Sequence, residues 1–303
     1  MEIVEYSPHL LPEQTQLINQ HICSIPPGWV LSETQVASVL TDAEPFWSLH
    51  FPEEELSPNQ ITCVLDGRHL AAACQWNCWS PPDDANVKFA TLIWFTSVPP
   101  RTEAVDTLLA AITHRARELN CSRIMTSRFG FGVGWLGIAS QWTHLVEGFL
   151  RAGFAVSDKW VVMTTSTNQH LHQPRPSGNS IALKWDVNES SLEWNIEAYI
   201  EGALVGECQA WGIPTYFRGC KDFPEWITVE WLGVEEPYQR QGIGRLLLHE
   251  QMRFHAQRGV KNIIVWTETN NIEAQKFNEA LGFRYGPECW SFTMALDGGA
   301  SYG

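Results

Sequence analysis

The chain has 303 residues, a net charge of −14 and 44% hydrophobic residues. An acidic balance of this size argues against a general nucleic-acid binder, whose phosphate contacts need a basic stripe. No apolar run approaches the ~20 residues of a membrane-spanning helix, and the opening MEIVEYSPHL has no basic start or apolar core of a signal peptide. The expectation is a cytoplasmic protein with no membrane or nucleic-acid partner, long enough for two ordinary domains. Fifteen tryptophans imply large buried surfaces or aromatic pocket walls. The eight cysteines form no CxxC pair and have no His or Cys answering at ligand spacing, so they read as reduced thiols and no metal is expected.

In chain order, LLPEQTQLINQHI and SETQVASVL read as helices. LDGRHLAAACQW follows as a hairpin turning at Gly67, and TLIWFTSVPP as a strand ending at proline. An amphipathic helix starts near Glu103, CSRIMTSR is β-like, LVEGFLRAGF is a short helix closed by Gly153, and KWVVMTTS is a closing strand. FGFGVGWLG, residues 129–137, follows the fifth strand without a basic residue, which suits an aromatic substrate loop better than a phosphate site. The polar stretch 167–180, with two prolines and a glycine, reads as a linker.

The order then repeats at a spacing of about 135 residues. YIEGALVGECQAW is a hairpin turning at Gly202, and TVEWLGVEEP is a strand with its aromatic in the same place. A helix follows from Gly242, then VKNIIVWTET, AQKFNEALGF closed by Gly282, and CWSFTMAL. The second copy lacks the opening pair of helices, unless SSLEW is their remnant. Residues 1–166 and 181–303 are therefore two copies of one β-β-β-α-β-α-β unit. His114, His144, His249 and His255 fall on helices without ligand-spaced partners and read as structural or surface residues.

One stretch distinguishes the copies. EPYQRQGIGRLLL places Gly242 and Gly244 where a helix starts, although glycine costs roughly 1 kcal/mol against alanine in a helix. Strand, glycine loop and helix start together make an anion site: free N–H groups and the helix dipole point at the ligand, and glycine lets it approach. Arg240 and Arg245 add positive charge. The first copy has PPRTEAVDTLL instead.

Gln239-Arg240-Gln241-Gly242-Ile243-Gly244-Arg245, after Val234 and Pro237, resembles the acyl-CoA pyrophosphate loop of the GNAT acetyltransferases. Asn271-x-x-Ala274-x-x-Phe277, running on to Gly282-Phe283, resembles that family's second motif. The likeness covers about residues 181–296 well. It implies an α/β fold of mixed type: two tandem GNAT-like domains, each a mixed, mostly antiparallel sheet flanked by helices, the first copy degenerate. It further implies acetyl-CoA as co-substrate. The pantetheine arm would pair with the backbone of Leu232, Gly233 and Val234. The pyrophosphate would rest on N–H groups from Arg240 to Arg245. Asn271 would cap its helix and touch the coenzyme, with Phe277 and Asn278 following in that motif.

The resemblance also assigns a base position, Glu230, four residues before Val234. Period-2 alternation puts Glu230, Leu232 and Val234 on one face, and burial beside tryptophans would raise the carboxylate's pKa. A strand carboxylate meeting solvent or a salt bridge is the other reading of Glu230. Many family members place a tyrosine acid directly after the phenylalanine; here that position is Asn278, which leaves Tyr238, Tyr285 or water. Two function classes follow: an N-acetyltransferase acting on a small amine, as a monomer or homodimer, or a non-catalytic acyl-CoA binding module.

Overall fold

The computed structural model describes residues 1–25, 28, 30–41, 55–56, 60–81, 84, 86–126, 137–170, 181–188, 192–212 and 225–296. The chain divides into two compact units, Met1–Trp160 with Pro287–Gly303, and Val161–Gly286.

In the first unit, β1 (Glu2–Glu5) is followed by helices α1 (Leu11–Ile22) and α2 (Glu33–Thr41). Strands β2 (Glu55–Leu56), β3 (Gln60–Asp66), β4 (His69–Ser80) and β5 (Phe89–Ser97) lead into α3 (Thr102–Glu118). Then come β6 (Arg123–Thr126), β7 (Ile138–Ala139), α4 (Thr143–Arg151) and β8 (Ala155–Ser166). The β3–β4 hairpin turns at Gly67, whose φ of 65° suits glycine. The sheet runs β1-β3-β4-β5-β6 and ends on the chain's last strand, β14 (Arg284–Ala295). Its pairs are antiparallel except β5 with β6, which are parallel. α3 buries Val105, Leu108, Leu109 and Ile112, the one-sided spacing of an amphipathic helix. A Cβ at Gly148 of α4 would collide with Val105, so glycine lets α4 lie close against α3.

In the second unit, β9 (Ala182–Asn188), β10 (Glu193–Ile200), β11 (Ala203–Gly212) and β12 (Trp226–Val234) form an antiparallel ladder. Then follow α5 (Ile243–Ala256), β13 (Asn262–Glu268), α6 (Ile272–Ala280) and β14. The end of β8 lies beside β13, and β13 pairs in parallel with β12. Only residues 189–192 join β9 to β10, so no helix pair stands there; Glu193 and Trp194 of the expected SSLEW remnant are strand residues. α5 packs Ile243, Leu247, Leu248 and Met252 against Trp194, Ile196, Cys208 and Ile227 of the sheet.

The unit boundaries fall within β8 and β14 rather than at the expected linker. Val161 and Met163 pack with Ile263 and Val265. Phe292 stacks on Phe149 at 4.9 Å, and Thr293–Ala295 pair with Arg123–Met125. Both closing strands are longer than their apolar runs indicate, and each is claimed by two cores. Thr167–His170 make a short 3-10 turn held to β13 through Thr167 N–H and the Lys261 carbonyl, 2.9 Å. Residues 171–180 of the expected linker, and most of the 129–137 loop, lie outside the described residues.

The helical histidines divide as their surroundings dictate. His114 is exposed on α3, 3.3 Å from Glu118. His144, His249 and His255 are buried. His255 Nε2 donates to Gln251 Oε1 at 3.1 Å, while Gln251 Nε2 donates to the Trp194 and Cys208 carbonyls at 3.1 and 2.9 Å. With the amide nitrogen donating, Gln251 Oε1 is the acceptor, which fixes the imidazole tautomer. Burial, and then the Arg258 charge, lower the His255 pKa to about 3, so the ring is neutral inside the core.

Candidate active site

β12 and β13 pair over only three positions, Trp226–Thr228 against Asn262–Ile264. Both strands run on, to Val234 and Glu268, without further register partners on each other. Parallel strands that part this way leave a wedge between them, edged by the β12 backbone beyond Thr228. The other edge of β12 is taken by β11: Leu232, Gly233 and Val234 stand opposite Cys208, Glu207 and Gly206. A Cβ on Gly206 would sit 2.9 Å from the Gly233 carbonyl, so glycine brings β11 close to that point.

The β11–β12 register slips at one residue. Gln209 faces Trp231 and Ala210 faces Val229, which leaves Glu230 as a β-bulge. Strict alternation therefore fails there. Val229, Leu232 and Val234 pack on the core below α5, while the Trp231 side chain is 55% exposed. Glu230 is half-buried rather than buried, so the enclosed carboxylate expected from the sequence is not what the fold provides. The bulge instead lies two residues beyond Thr228, the last position at which β12 pairs with β13.

From Val234 the chain enters a tight turn. Glu235 N–H bonds the Val205 carbonyl at 3.0 Å, and Glu236–Tyr238 form a 3-10 turn. Gln239 Nε2 donates to the Val234 carbonyl at 2.9 Å and Gln241 Nε2 to the Pro237 carbonyl at 3.1 Å, so both glutamines brace the loop. Arg240, with φ 64°, is a left-handed non-glycine residue, and Gly242, with φ 86°, is the N-cap of α5. Left-handed backbone at Gly242 gives a reason for glycine there. Leu246 N–H makes a helical bond to Gly242, and no side chain caps the helix. The N–H groups of Ile243, Gly244 and Arg245 therefore precede the helical ladder, where an anion is favoured. Ile243 is buried and anchors the turn; Arg240 and Arg245 are exposed.

Gly244 has a different explanation. A Cβ there would meet Val234 Cγ2 at 3.6 Å and Phe277 Cζ at 3.7 Å, ordinary contacts that the protein tolerates. Its own packing does not require glycine, and alanine would favour the helix by up to ~1 kcal/mol. The same two neighbours show that the fold brings both sequence motifs together: Val234 ends β12, and Phe277 comes from α6.

Asn271 Oδ1 accepts from Ala274 N–H at 3.1 Å and caps α6 as expected. Asn278 is buried, and the turn into Gly282 and Phe283 closes on its carbonyl. Tyr238 is partly buried against the second unit's core, whereas Tyr285 is 50% exposed. Sequence reasoning missed Gln209 and Trp231. Their signal was present as a repeat: Gln75 faces Trp94 in the first unit as Gln209 faces Trp231 in the second. Among the described residues no group of three His, Cys, Asp or Glu side chains is placed to hold a metal ion, and no helix is long and apolar enough to cross a membrane.

Residues 160–283 match the acetyltransferase (GNAT) family. The fold is similar over 99% of both chains to a tandem GNAT protein from the clavulanic acid biosynthesis pathway, with TM-score 0.68 and 13% identity. A GCN5-related N-acetyltransferase from Sphaerobacter thermophilus gives TM-score 0.66 at 14% identity, covering 99% of this chain and 97% of that one. A glucosamine N-acetyltransferase region of a fungal multi-domain β-N-acetylglucosaminidase gives 0.67 at 14% identity, covering 97% of this chain and 38% of the other. Among curated proteins no relative matches the sequence.

Proposed function

From a chain with the tandem GNAT fold, whose residues 160–283 carry the GNAT acetyltransferase domain, we propose that the second unit transfers an acetyl group from acetyl-CoA to an amine. The observation that carries this reading is the uncapped start of α5, entered through the left-handed and open Gly242 after β12 parts from β13, with Val234 and Phe277 of the two motifs meeting at Gly244. The pyrophosphate rests on the N–H groups of Ile243 to Arg245, with Arg240 and Arg245 beside it. The pantetheine arm runs along Leu232–Val234. The amine nitrogen attacks the thioester carbonyl, the C–S bond breaks, and a β12 backbone N–H at the wedge stabilises the developing oxyanion. Glu230, at the bulge, takes the amine's proton directly or through one water. Asn278 has no proton to give, so the departing thiolate is protonated by water.

The experiment is acetyl-CoA turnover, read as free thiol release, against a panel of small amines. Acceptor-dependent release supports the transferase. Tight acetyl-CoA binding without turnover of any amine favours the non-catalytic binding module, a reading to which the buried asparagine at the acid's position lends weight.

A further inference from the structure

Resting on the transferase reading, the structure assigns Trp231 as the platform for the acceptor, and the acceptor as an amine carrying a second positive charge. α5 covers the sheet face onto which Val229, Leu232 and Val234 pack, and its N-terminus holds the proposed coenzyme loop. An acceptor cannot share that face with the coenzyme. Trp231, between Val229 and Leu232 but exposed, lies on the opposite face beside the bulge at Glu230. Its indole lies along the strand over Gly233, where a Cβ would be 2.8 Å from Nε1. The glycine lets the ring rest against the backbone while more than half of the residue stays exposed.

The first unit has the same cross-strand pair, Gln75 with Trp94, but closed: Trp94 is 3% exposed and its Nε1 donates to Gln75 Oε1 at 2.5 Å. α1 seals it, with Gln14 Nε2 reaching Thr96 Oγ1 at 3.5 Å. The second unit has no helix between β9 and β10 to seal its own pair.

Next to Gln75 in the first unit, the facing residues are Ala73 and Cys63. At the same register positions the second unit has Glu207 and Glu197, which face each other across β11 and β10. Like charges directly opposite are unfavourable in a sheet. Glu197 is met by Lys184 at 3.4 Å and by the Tyr199 hydroxyl at 2.8 Å. Among the described residues Glu207, opposite Gly233, forms no ion pair. A cation above the Trp231 face would satisfy both the ring and this carboxylate.

The test uses the full chain with saturating acetyl-CoA and two acceptors of equal length, 1,4-diaminobutane and n-butylamine. The diamine is expected to have the lower KM. Trp231→Ala should raise its KM roughly fivefold to thirtyfold, with a smaller rise for Trp231→Phe, while the acetyl-CoA Kd measured by calorimetry stays within about twofold. Glu207→Gln should narrow the difference between the two amines. An unchanged diamine KM in Trp231→Ala overturns the platform. A preference for butylamine, or turnover of neither amine by protein that binds acetyl-CoA, overturns the cationic class. Failure of the wild-type chain to bind acetyl-CoA refutes the transferase reading itself.

Discussion

The bulge that interrupts β5 falls at Ile93, and the one that interrupts β12 falls at Glu230. Around these two residues the units are built alike. A threonine precedes each bulge (Thr91, Thr228), a tryptophan follows it (Trp94, Trp231), a glutamine faces that tryptophan, and a parallel strand pairs with the residues before it. What stands at the shared positions is opposite in kind. The first unit has a buried isoleucine at the bulge, a buried tryptophan after it and polar groups closed under α1. The second has a half-buried carboxylate, an exposed indole and a glycine turn into its helix. After Ser97 the first unit instead runs through Pro99 and Pro100 into α3, with no glycine. Burial keeps the shared skeleton in both units, and only in the second is it left incomplete at the bulge and at the tryptophan after it.

The sharpest way to break the comparison is at the bulge. Glu230→Gln keeps size and polarity but cannot take a proton. Turnover at pH 7 should fall by roughly 10²–10⁴, with acetyl-CoA affinity near wild type, and the loss should shrink at pH 9.5, where solvent deprotonates the amine. Normal turnover at pH 7 would make Glu230 a structural carboxylate, no different in role from Ile93.

The next effect bears on what the two cores share. Each unit seals a neutral histidine: His21, whose pKa burial lowers to about 4, and His255, lowered to about 3. In the unfolded chain both titrate near 6.5. Below that value the unfolded state binds more protons, so stability is complete above about pH 6.5 and is lost as pH falls towards the folded values. The loss amounts to about 3 kcal/mol for His21 by the time it is protonated in the fold. Urea midpoints at pH 7 and pH 4.5 measure this. A flat profile would contradict the sealed, neutral rings.

Smaller effects are expected at Gly244. Glu in its place adds bulk and negative charge where the pyrophosphate should sit, and acetyl-CoA affinity by calorimetry should drop at least ~tenfold, about 1.4 kcal/mol. Ala in its place should instead raise stability by up to ~1 kcal/mol, because its Cβ meets only ordinary contacts, and still weaken acetyl-CoA. A destabilised Gly244→Ala would mean that the glycine serves the fold and not a ligand.

Much of this was legible in the chain. The two hairpins turn at Gly67 and Gly202, and Gly153 and Gly282 follow α4 and α6 with φ of 89° and 85°, because positive φ leaves glycine in the sequence. Gly242 and the Asn271 cap were legible for the same reason: a backbone requirement selects a residue type. The bulge at Glu230 was not. A register slip depends on which residue a partner strand offers, here Gln209 and Ala210, and no local pattern in TVEWLGV records it. The exchange of closing strand segments was equally hidden, since Phe292 and Met163 are apolar whichever core receives them. The open Trp231 was hidden by its own composition, because a tryptophan in a strand says nothing about whether a helix covers it.

If only the second unit keeps a coenzyme site, a calorimetric titration of the full chain with acetyl-CoA reveals it. One site per chain is expected, lost or weakened at least ~tenfold in Gly244→Glu. Two equivalent sites per chain, or one site indifferent to Gly244→Glu in a folded protein, would contradict it.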